Sequence, residues 1–574
     1  MCGIAGVIGR GPDVERMIAT LQHRGPNGIR VETGEGWSLA HARLSIIDLE
    51  GGWQPLHAAG STIVGNGENY NYLELARDYQ LAGKLHTGSD FEPLLHVYAQ
   101  EGPLSLATSP RGMYASCLLG GDGRTWLMRD PFGIKPLYLH ETANALLFAS
   151  EPRALFAGGA PIQMDAEAIG DLLALNYASR APFKGISRLP PGALVQVITK
   201  PGSVTIGGGA KGPISGAATT GSEATLLDRL DAVLEDSVNV HQRSDVPYGL
   251  FLSGGIDSSA IATLMARLNS RPVTAYTCGF EAPGARDERG AAEAVARALN
   301  LDWRETTFTE EDFWRIAPQV AWAFDDPTTD YATLPTYKLA EAAKGTLTVV
   351  LSGEGGDELF AGYGRYRRAL RPSWLGGRAA EPQVDAPFLK DGGAGAIERW
   401  RAAAKAAARP GWTTLQNAQA ADIGSWLPND LLLKLDRCLM AHGLEGRTPF
   451  LDREVAAFAF NLPDRMKVRG RYGKWLLRKW LERACPAAEP WAKKKGFTVP
   501  VAAWIGPRAG DLGPRIAALK AVREVCVPEA VEAVFRDETQ AANRWPLLFF
   551  GLWSLIHLEE AEPAAALAAL LGDA

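Results

Sequence analysis

Through the first two hundred positions apolar residues come in short alternating runs: GIAGVIG (3–9), WSLAHARLSIID (37–48), STIVGNG (61–67), MYASCLLG (113–120), TWLMRD (125–130), LYLHE (137–141) and ALLFAS (145–150). Gly and Pro interrupt them. A period of two with frequent breakers predicts short strands in packed antiparallel sheets. After residue 222 the period changes. Helical spacing runs through TLLDRLDAVLEDSVNVHQ (225–242), SSAIATLMARL (258–268) and GAAEAVARAL (290–299), alternating with the continuous apolar runs PYGLFL (247–252), VTAYTCGF (273–280) and TLTVVLSG (346–353). Strands alternating with helices predict a parallel, doubly wound sheet. Past about residue 395 the chain is rich in Ala, Leu, Trp and Arg at helical spacing, and an all-α extension without strands is expected.

A chain of 574 residues exceeds what one core organises, so two large domains are expected. The boundary falls in Thr199–Ser222, where Gly, Ser, Thr and Pro crowd as in a linker, leaving domains at 1–198 and 223–574. A second Gly-rich stretch, Gly376–Gly395, reads as an exposed insertion. The net charge of −6 is spread without blocks of like sign, which argues against nucleic-acid partners. The longest apolar stretch, Trp545–Leu558, is too short to span a bilayer, and MCGIAGVIGRG lacks the basic start of a signal peptide, so no membrane partner and a cytoplasmic setting are expected. Six scattered cysteines have no spacing suited to zinc, and disulfides are not expected either.

One cysteine is chemically distinctive. Removal of Met1 would place the α-amine of Cys2 beside its own thiol, so that a single residue supplies nucleophile and base. A second candidate centre is SGGIDSS (253–259), which sits between an apolar strand and a helix, where backbone N–H groups and a helix N-terminus bind anions. It is not a Walker loop, because the chain has no GxxxxGKS or GxxxxGKT sequence.

Six segments then occur in order: MCGIAGVIG, HRGPN (23–27), RLSIID (43–48), NGENYN (66–71), GSDFE (88–92) and RDPFGIKPLY (129–138). Together they resemble the glutaminase domain of the class II amidotransferases. The resemblance implies an αββα sandwich of the N-terminal-nucleophile type, with Cys2 as nucleophile and an oxyanion hole made by the Asn66 side-chain amide and the Gly67 N–H. It further implies a glutamine pocket of Arg43, Leu44, Ser45, Ile46, Ile47, Asn66, Gly67, Glu68 and Asp90, in which Arg43 and Asp90 pair with the substrate's carboxylate and ammonium. Two positions depart from the family pattern: Asn69, usually Ile, and Phe91, usually Thr or Ser.

SGGIDSS is joined by LSGEGGDELFAGY (351–363), LLLKLDRCLMAHGLEGRTPFLD (431–452) and KKKGFTVP (493–500), and this set resembles the ATP-pyrophosphatase domain of asparagine synthetases. The resemblance implies ATP as co-substrate, held by Leu252, Ser253, Gly254, Gly255, Asp257, Ser258, Cys278, Ser352 and Gly353. It places magnesium on Asp257 and Asp357, Glu354 beside the acyl-adenylate, and Lys494 at the departing pyrophosphate. Glu358 reads as a solvated turn carboxylate or a further site group. Gly446-Arg447-Thr448 stands where the family has Ala-Arg-Val.

The whole implies a glutamine-hydrolysing ligase that amidates aspartate, with glutamine, aspartate and ATP as small-molecule partners, a homodimer as candidate assembly, and a water-free path for ammonia between sites. The acceptor pocket, which the resemblance puts near Asp325–Tyr337, leaves other carboxylates open, because fold does not fix specificity. A non-catalytic glutamine-binding scaffold is the third reading.

Overall fold

The computed structural model describes residues 2–200, 203–210, 212, 214, 216–281, 288–372, 374, 376–492 and 499–572. The N-terminal unit is two stacked antiparallel sheets of six strands each. The period-two reading is visible in the strand Gly3–Gly9: Ile4 and Ile8 face the second sheet, meeting Val64, Ala115 and Cys117, while Ala5 and Val7 face outward against Met17, Ile18 and Leu155 on covering helices. In the second sheet Val64 points inward, and its neighbour Ile63 packs under the helix Glu92–Glu101. Helix, sheet, sheet, helix is the expected αββα order. Gly6 stands where Phe148 crosses between the sheets; a Cβ there would lie 2.2 Å from the ring.

The stretch read as a linker contributes a strand. Ser203–Ala210 pairs antiparallel with Ala193–Lys200, from Ala193↔Ala210 to Lys200↔Ser203, and forms an edge of the second sheet. Its composition, SVTIGGGA, hid it, because three glycines erase the alternation while leaving the backbone free to pair.

The C-terminal unit is built on five parallel strands in the order Asp302–Phe308, Thr274–Phe280, Tyr248–Phe251, Val349–Leu351, Glu445–Arg447. Both faces are covered: Val349 and Leu351 pack with the helices Glu223–His241 and Ile256–Leu268, and Val350 packs with Glu310–Ala323 and Thr333–Ala343. This is the doubly wound sheet expected. Two strands escape the apolar-run reading. Asp302–Phe308 is a largely polar edge strand, and Glu445–Arg447 lies in the region expected to be strand-free. The latter is three residues long and wholly buried, with its two charged side chains paired to each other.

The remaining helices pack as an extension, and Arg544–Leu558 is buried in it over nearly its whole length. No described helix is long and apolar enough to cross a membrane. Gly376–Gly395 is exposed only in part, since Ala386, Phe388 and Leu389 are buried in this extension. All six cysteines are free and buried.

The two units meet through buried charge. Arg24, fully enclosed, donates from Nη1 to Glu151 at 2.8 Å and to Asp436 at 2.8 Å. Arg437 pairs with the same Glu151 at 2.5 Å and with Asp325 at 2.9 Å, and Lys135 lies 3.9 Å from Asp436. Burial opposes ionisation of Asp436, but the Arg24 and Lys135 charges outweigh it and hold the carboxyl below its usual range. Removing one member of such a network leaves its partners charged in a low dielectric. Asp436→Ala should therefore destabilise the protein by about 3–5 kcal/mol, seen as a lower midpoint in thermal and urea unfolding; a midpoint equal to that of the unaltered chain would refute the view that these charges depend on one another.

Candidate active sites

The first site forms where the strand Gly3–Gly9 begins. The Cys2 N–H donates to Asn66 Oδ1 at 3.1 Å, and the Cys2 thiol faces the Leu44 carbonyl at 3.8 Å. Arg24 Nε donates to the Cys2 carbonyl at 3.3 Å, fixing the residue from behind. Burial pushes the Cys2 thiol up from its ordinary value, opposed by the positive charge of the chain's amino terminus. Because the Asn66 oxygen is engaged by Cys2, its amide nitrogen is turned the other way and is buried without a partner. That leaves a donor suited to an oxyanion. Gly67, at φ +136, belongs to the same strand, and a Cβ there would fall 1.9 Å from the Met113 carbonyl, so only glycine fits.

Arg43, Leu44, Ser45, Ile46 and Ile47 lead into a loop over this pocket. Arg43 lies against the Trp53 ring and donates to the carbonyls of Asp48 at 2.5 Å and Leu49 at 3.1 Å. The Ser45 N–H donates to Asn27 of the HRGPN segment at 3.0 Å. Asp245 ties the loop to the C-terminal unit, its N–H donating to the Ile46 carbonyl at 2.9 Å and its carboxylate accepting from the Asp48 N–H at 2.8 Å.

The two departures from the family pattern prove to be one local arrangement around Asp90. The Asn69 N–H donates to the Asp90 carboxylate at 2.7 Å and the Asn69 side chain donates to the Asp90 carbonyl at 3.2 Å. Phe91 fills the notch over Gly65, where a Cβ would meet its ring at 2.3 Å. Burial raises the Asp90 carboxyl to about 7. Glu68 is pushed well above the carboxylate range by burial and then by the Asp90 charge, with Arg447 opposing.

The second site lies at the carboxyl ends of Tyr248–Phe251 and Val349–Leu351. The chain winds outward from the first of these strands and returns to the second on its other side, so the crevice is a topological switch point. After Leu252, the Ser253 and Ser258 hydroxyls lie 3.1 Å apart, and Gly254 turns at φ +70. The helix Ile256–Leu268 starts at Gly255 with no side-chain cap, leaving first-turn N–H groups for an anion. Cys278 is buried in the next strand, Thr274–Phe280. Opposite, the Ser352 N–H donates to the Arg447 carbonyl at 2.8 Å. Gly353 admits the helix start, its would-be Cβ lying 2.9 Å from the Cβ of Asp257.

Asp257 and Asp357 converge, and the group between them is one the sequence reading passed over. Lys474 places Nζ against the Asp257 carboxylate and 2.6 Å from Asp357 Oδ1. Burial works against the ammonium, but the two aspartates outweigh it and hold it above lysine's ordinary value. Lys474 has φ +55, left-handed backbone that a non-glycine residue keeps only where the surroundings impose it. Glycines clear the space: a Cβ at Gly362 would lie 1.7 Å from Asp357 Oδ1 and one at Gly356 2.4 Å from Asp257 Oδ1. Lys494 lies outside the described residues. The signal for Lys474 was a single lysine at the N-terminus of the amphipathic helix Trp475–Ala484, outranked by the run of three lysines at 493–495.

Glu354 extends the crevice. Burial raises its carboxyl, opposed by Lys434 at 3.8 Å. Lys434 also donates to Asp330 at 3.1 Å, which brings the segment Asp325–Tyr337 to the edge of the site. That segment divides: Asp325 and Asp326 join the interface network, and Asp330 faces Glu354 through Lys434. Glu358 is no solvated turn carboxylate. It is enclosed, accepts from Tyr363 Oη at 2.6 Å, and is raised to about 8 by burial and by Asp357.

The Asp257 and Asp357 carboxylates, each in the first turn of its own helix, are oxygen donors of the kind a hard divalent cation takes, and an ion there would meet the Lys474 ammonium that lies between them. Among the described residues no three-residue His, Cys, Asp and Glu cluster forms a metal cage.

A glutamine amidotransferase domain model matches residues 1–205 and an asparagine synthase model matches residues 229–559. The chain is 31% identical to glutamine-hydrolyzing asparagine synthetase 1 of Bacillus subtilis, covering 98% of this chain and 97% of that protein. It is 33% identical to a putative glutamine-hydrolyzing asparagine synthetase of Mycobacterium tuberculosis, over 97% and 98% of the two chains. Asparagine synthetase B of Escherichia coli is 28% identical, over 87% and 82%. With both domain models matched in order and full-length relatives on either side of the 30% level, this chain belongs to the glutamine-hydrolysing asparagine synthetase family.

Proposed function

We propose that this protein converts aspartate to asparagine, taking nitrogen from glutamine and activating the β-carboxylate with ATP, which leaves as AMP and pyrophosphate. The observation that carries the reading is the presence, in one chain, of a cysteine beside an unpartnered amide donor and a switch-point crevice where Asp257, Lys474 and Asp357 converge. The glutaminase domain runs to the end of the strand Ser203–Ala210, and the synthetase domain begins at Glu223.

In the first site the Cys2 thiol attacks the side-chain amide carbon of glutamine. Its proton passes to the α-amine exposed by loss of Met1 and then to the leaving ammonia. Asn66 Nδ2 and the Gly67 N–H hold the oxyanion, and water then releases glutamate from the thioester. Arg43 pairs with the substrate carboxylate, and Asp90 with Glu68 receives its ammonium; Leu44, Ser45, Ile46 and Ile47 wall the pocket.

In the second site Ser253, Gly254, Gly255 and Ser258 cradle phosphate, with Leu252, Cys278, Ser352 and Gly353 along the nucleotide. Magnesium on Asp257 and Asp357 would offset the charge of the departing pyrophosphate. Lys474 supplies the positive charge that the sequence reading gave to Lys494. Glu354 lies where the acyl-adenylate meets ammonia and takes the proton of the attacking nitrogen. Six free, buried thiols suit a reducing cytoplasm.

Cys2→Ala should abolish glutamine-dependent synthesis while asparagine formation from ammonium salts continues, because only the first nucleophile is lost; full glutamine use by the variant would refute the assignment. Lys474→Met should lower ATP-dependent synthesis from either nitrogen source by about 10²–10³-fold in kcat, the range for removing one preorganised electrostatic group, and leave glutaminase activity standing. A pyrophosphate-release assay reads it, with thermal melting to confirm the fold; an unchanged kcat would return the role to Lys494. With the unaltered enzyme, pyrophosphate release should depend on aspartate and drop sharply with succinate, which cannot satisfy groups built for an α-ammonium. Glutaminase activity without aspartate-dependent pyrophosphate would shift the acceptor to another carboxylate.

A further inference from the structure

Arg447 ends the short strand Glu445–Arg447, and its two ends reach different active sites. Its guanidinium, fully buried, donates from Nε to Glu445 at 2.6 Å, from Nη1 to the carbonyls of His241 at 2.9 Å and Arg243 at 2.6 Å, and from Nη2 to Glu68 Oε2 at 3.3 Å. Glu68 follows Gly67 in the glutamine pocket, and its other oxygen, Oε1, is buried without a partner. The Arg447 carbonyl, on the same residue, accepts the Ser352 N–H at 2.8 Å and so anchors the loop Ser352-Gly353-Glu354 of the synthetase crevice. Beside the guanidinium lie Tyr70, whose ring centroid is 5.5 Å from Cζ, and Glu445.

We propose that Arg447 is a positioning residue that couples the two sites. The inference rests on the glutamine-dependent reading above and adds a path to it. A ligand ammonium at Glu68 Oε1 competes with Arg447 for one carboxylate. The 3.3 Å contact is the longest of the guanidinium's four bonds, and therefore the one that yields most easily. The other three bonds hold the arginine to the synthetase unit, so a change at Glu68 is felt at the strand whose carbonyl holds Ser352. Coupling of this kind is reciprocal: nucleotide and acceptor that order the Ser352 loop must favour glutamine in the first pocket by the same factor.

The test uses the full-length enzyme and measures glutaminase rate with and without ATP, magnesium and aspartate, alongside synthesis from ammonium chloride. Arg447→Lys keeps a positive charge but cannot span Glu445, two carbonyls and Glu68 together. The expected result is that the ratio of glutamine KM without and with the nucleotide and aspartate, taken from these rates, falls about fivefold or more, the lower end of ordinary coupling, with ammonia-dependent kcat within about threefold of the unaltered enzyme. Glu68→Gln provides the second arm, since combining it with Arg447→Lys should lower the ratio no further than either change alone. An unchanged ratio in folded Arg447→Lys, additive effects in the double variant, or equal loss of ammonia-dependent synthesis and glutaminase would each overturn the proposal. Asparagine formation by the unaltered enzyme is measured in the same experiment, so failure of the coupling is distinguished from failure of the reading on which it rests.

Discussion

The buried ion cluster around Arg24 is the constraint on which the rest of the molecule depends. Arg24 holds the Cys2 carbonyl with one nitrogen and reaches Glu151 and Asp436 with others, so the nucleophile's backbone and the partner unit's helix share one side chain. Arg437 closes the cluster from the opposite side through Glu151 and Asp325. Charges so enclosed contribute little net stability compared with an apolar interface, but they tolerate few alternative arrangements. Here the consequence is positional. The helix Leu432–Met440 that carries Asp436 and Arg437 also carries Lys434, which faces Glu354.

Each site is then completed by backbone that only certain residues allow. Gly67, Gly356 and Gly362 mark the places where a side chain would strike a carbonyl or the carboxylate of Asp257 or Asp357, and Lys474 accepts left-handed backbone to bring its ammonium between these two aspartates. The doubly wound sheet decides where the second site lies, because the strand order reverses between Tyr248–Phe251 and Val349–Leu351. The first site depends instead on the meeting of the strands Gly3–Gly9 and Ser61–Asn69 with the Arg43–Trp53 loop, which Asp245 of the other unit fastens.

Much of this was legible in the sequence, for identifiable reasons. Short β-rich runs broken by Gly and Pro marked the sandwich strands, although both faces of a strand such as Gly3–Gly9 are covered, one by the other sheet and one by helices. Apolar runs marked the inner parallel strands because both faces are covered. Legibility failed where those conditions lapse. Asp302–Phe308 lies at a sheet edge and is polar, Glu445–Arg447 is buried by ion pairing instead of apolar packing, and Ser203–Ala210 pairs through backbone with glycines in place of side chains. The structure brings Cys2 against Asn66, beside Gly67, and brings Asp257 and Asp357 to one lysine. Lys474 was missed because a lone lysine carries no pattern; its meaning lies in two carboxylates more than a hundred residues away.

The glycine-rich strand Ser203–Ala210 has a consequence for the molecule's life in solution. An open sheet edge is a template on which other chains can assemble, and the strand it covers, Ala193–Lys200, is apolar enough (ALVQVITK) to recruit one. Gly207, Gly208 and Gly209 pair against Gln196, Val195 and Leu194, so this part of the outermost strand covers its neighbour with backbone alone. What reads in the sequence as filler between two domains is the strand that keeps the apolar Ala193–Lys200 from being the open edge of its sheet.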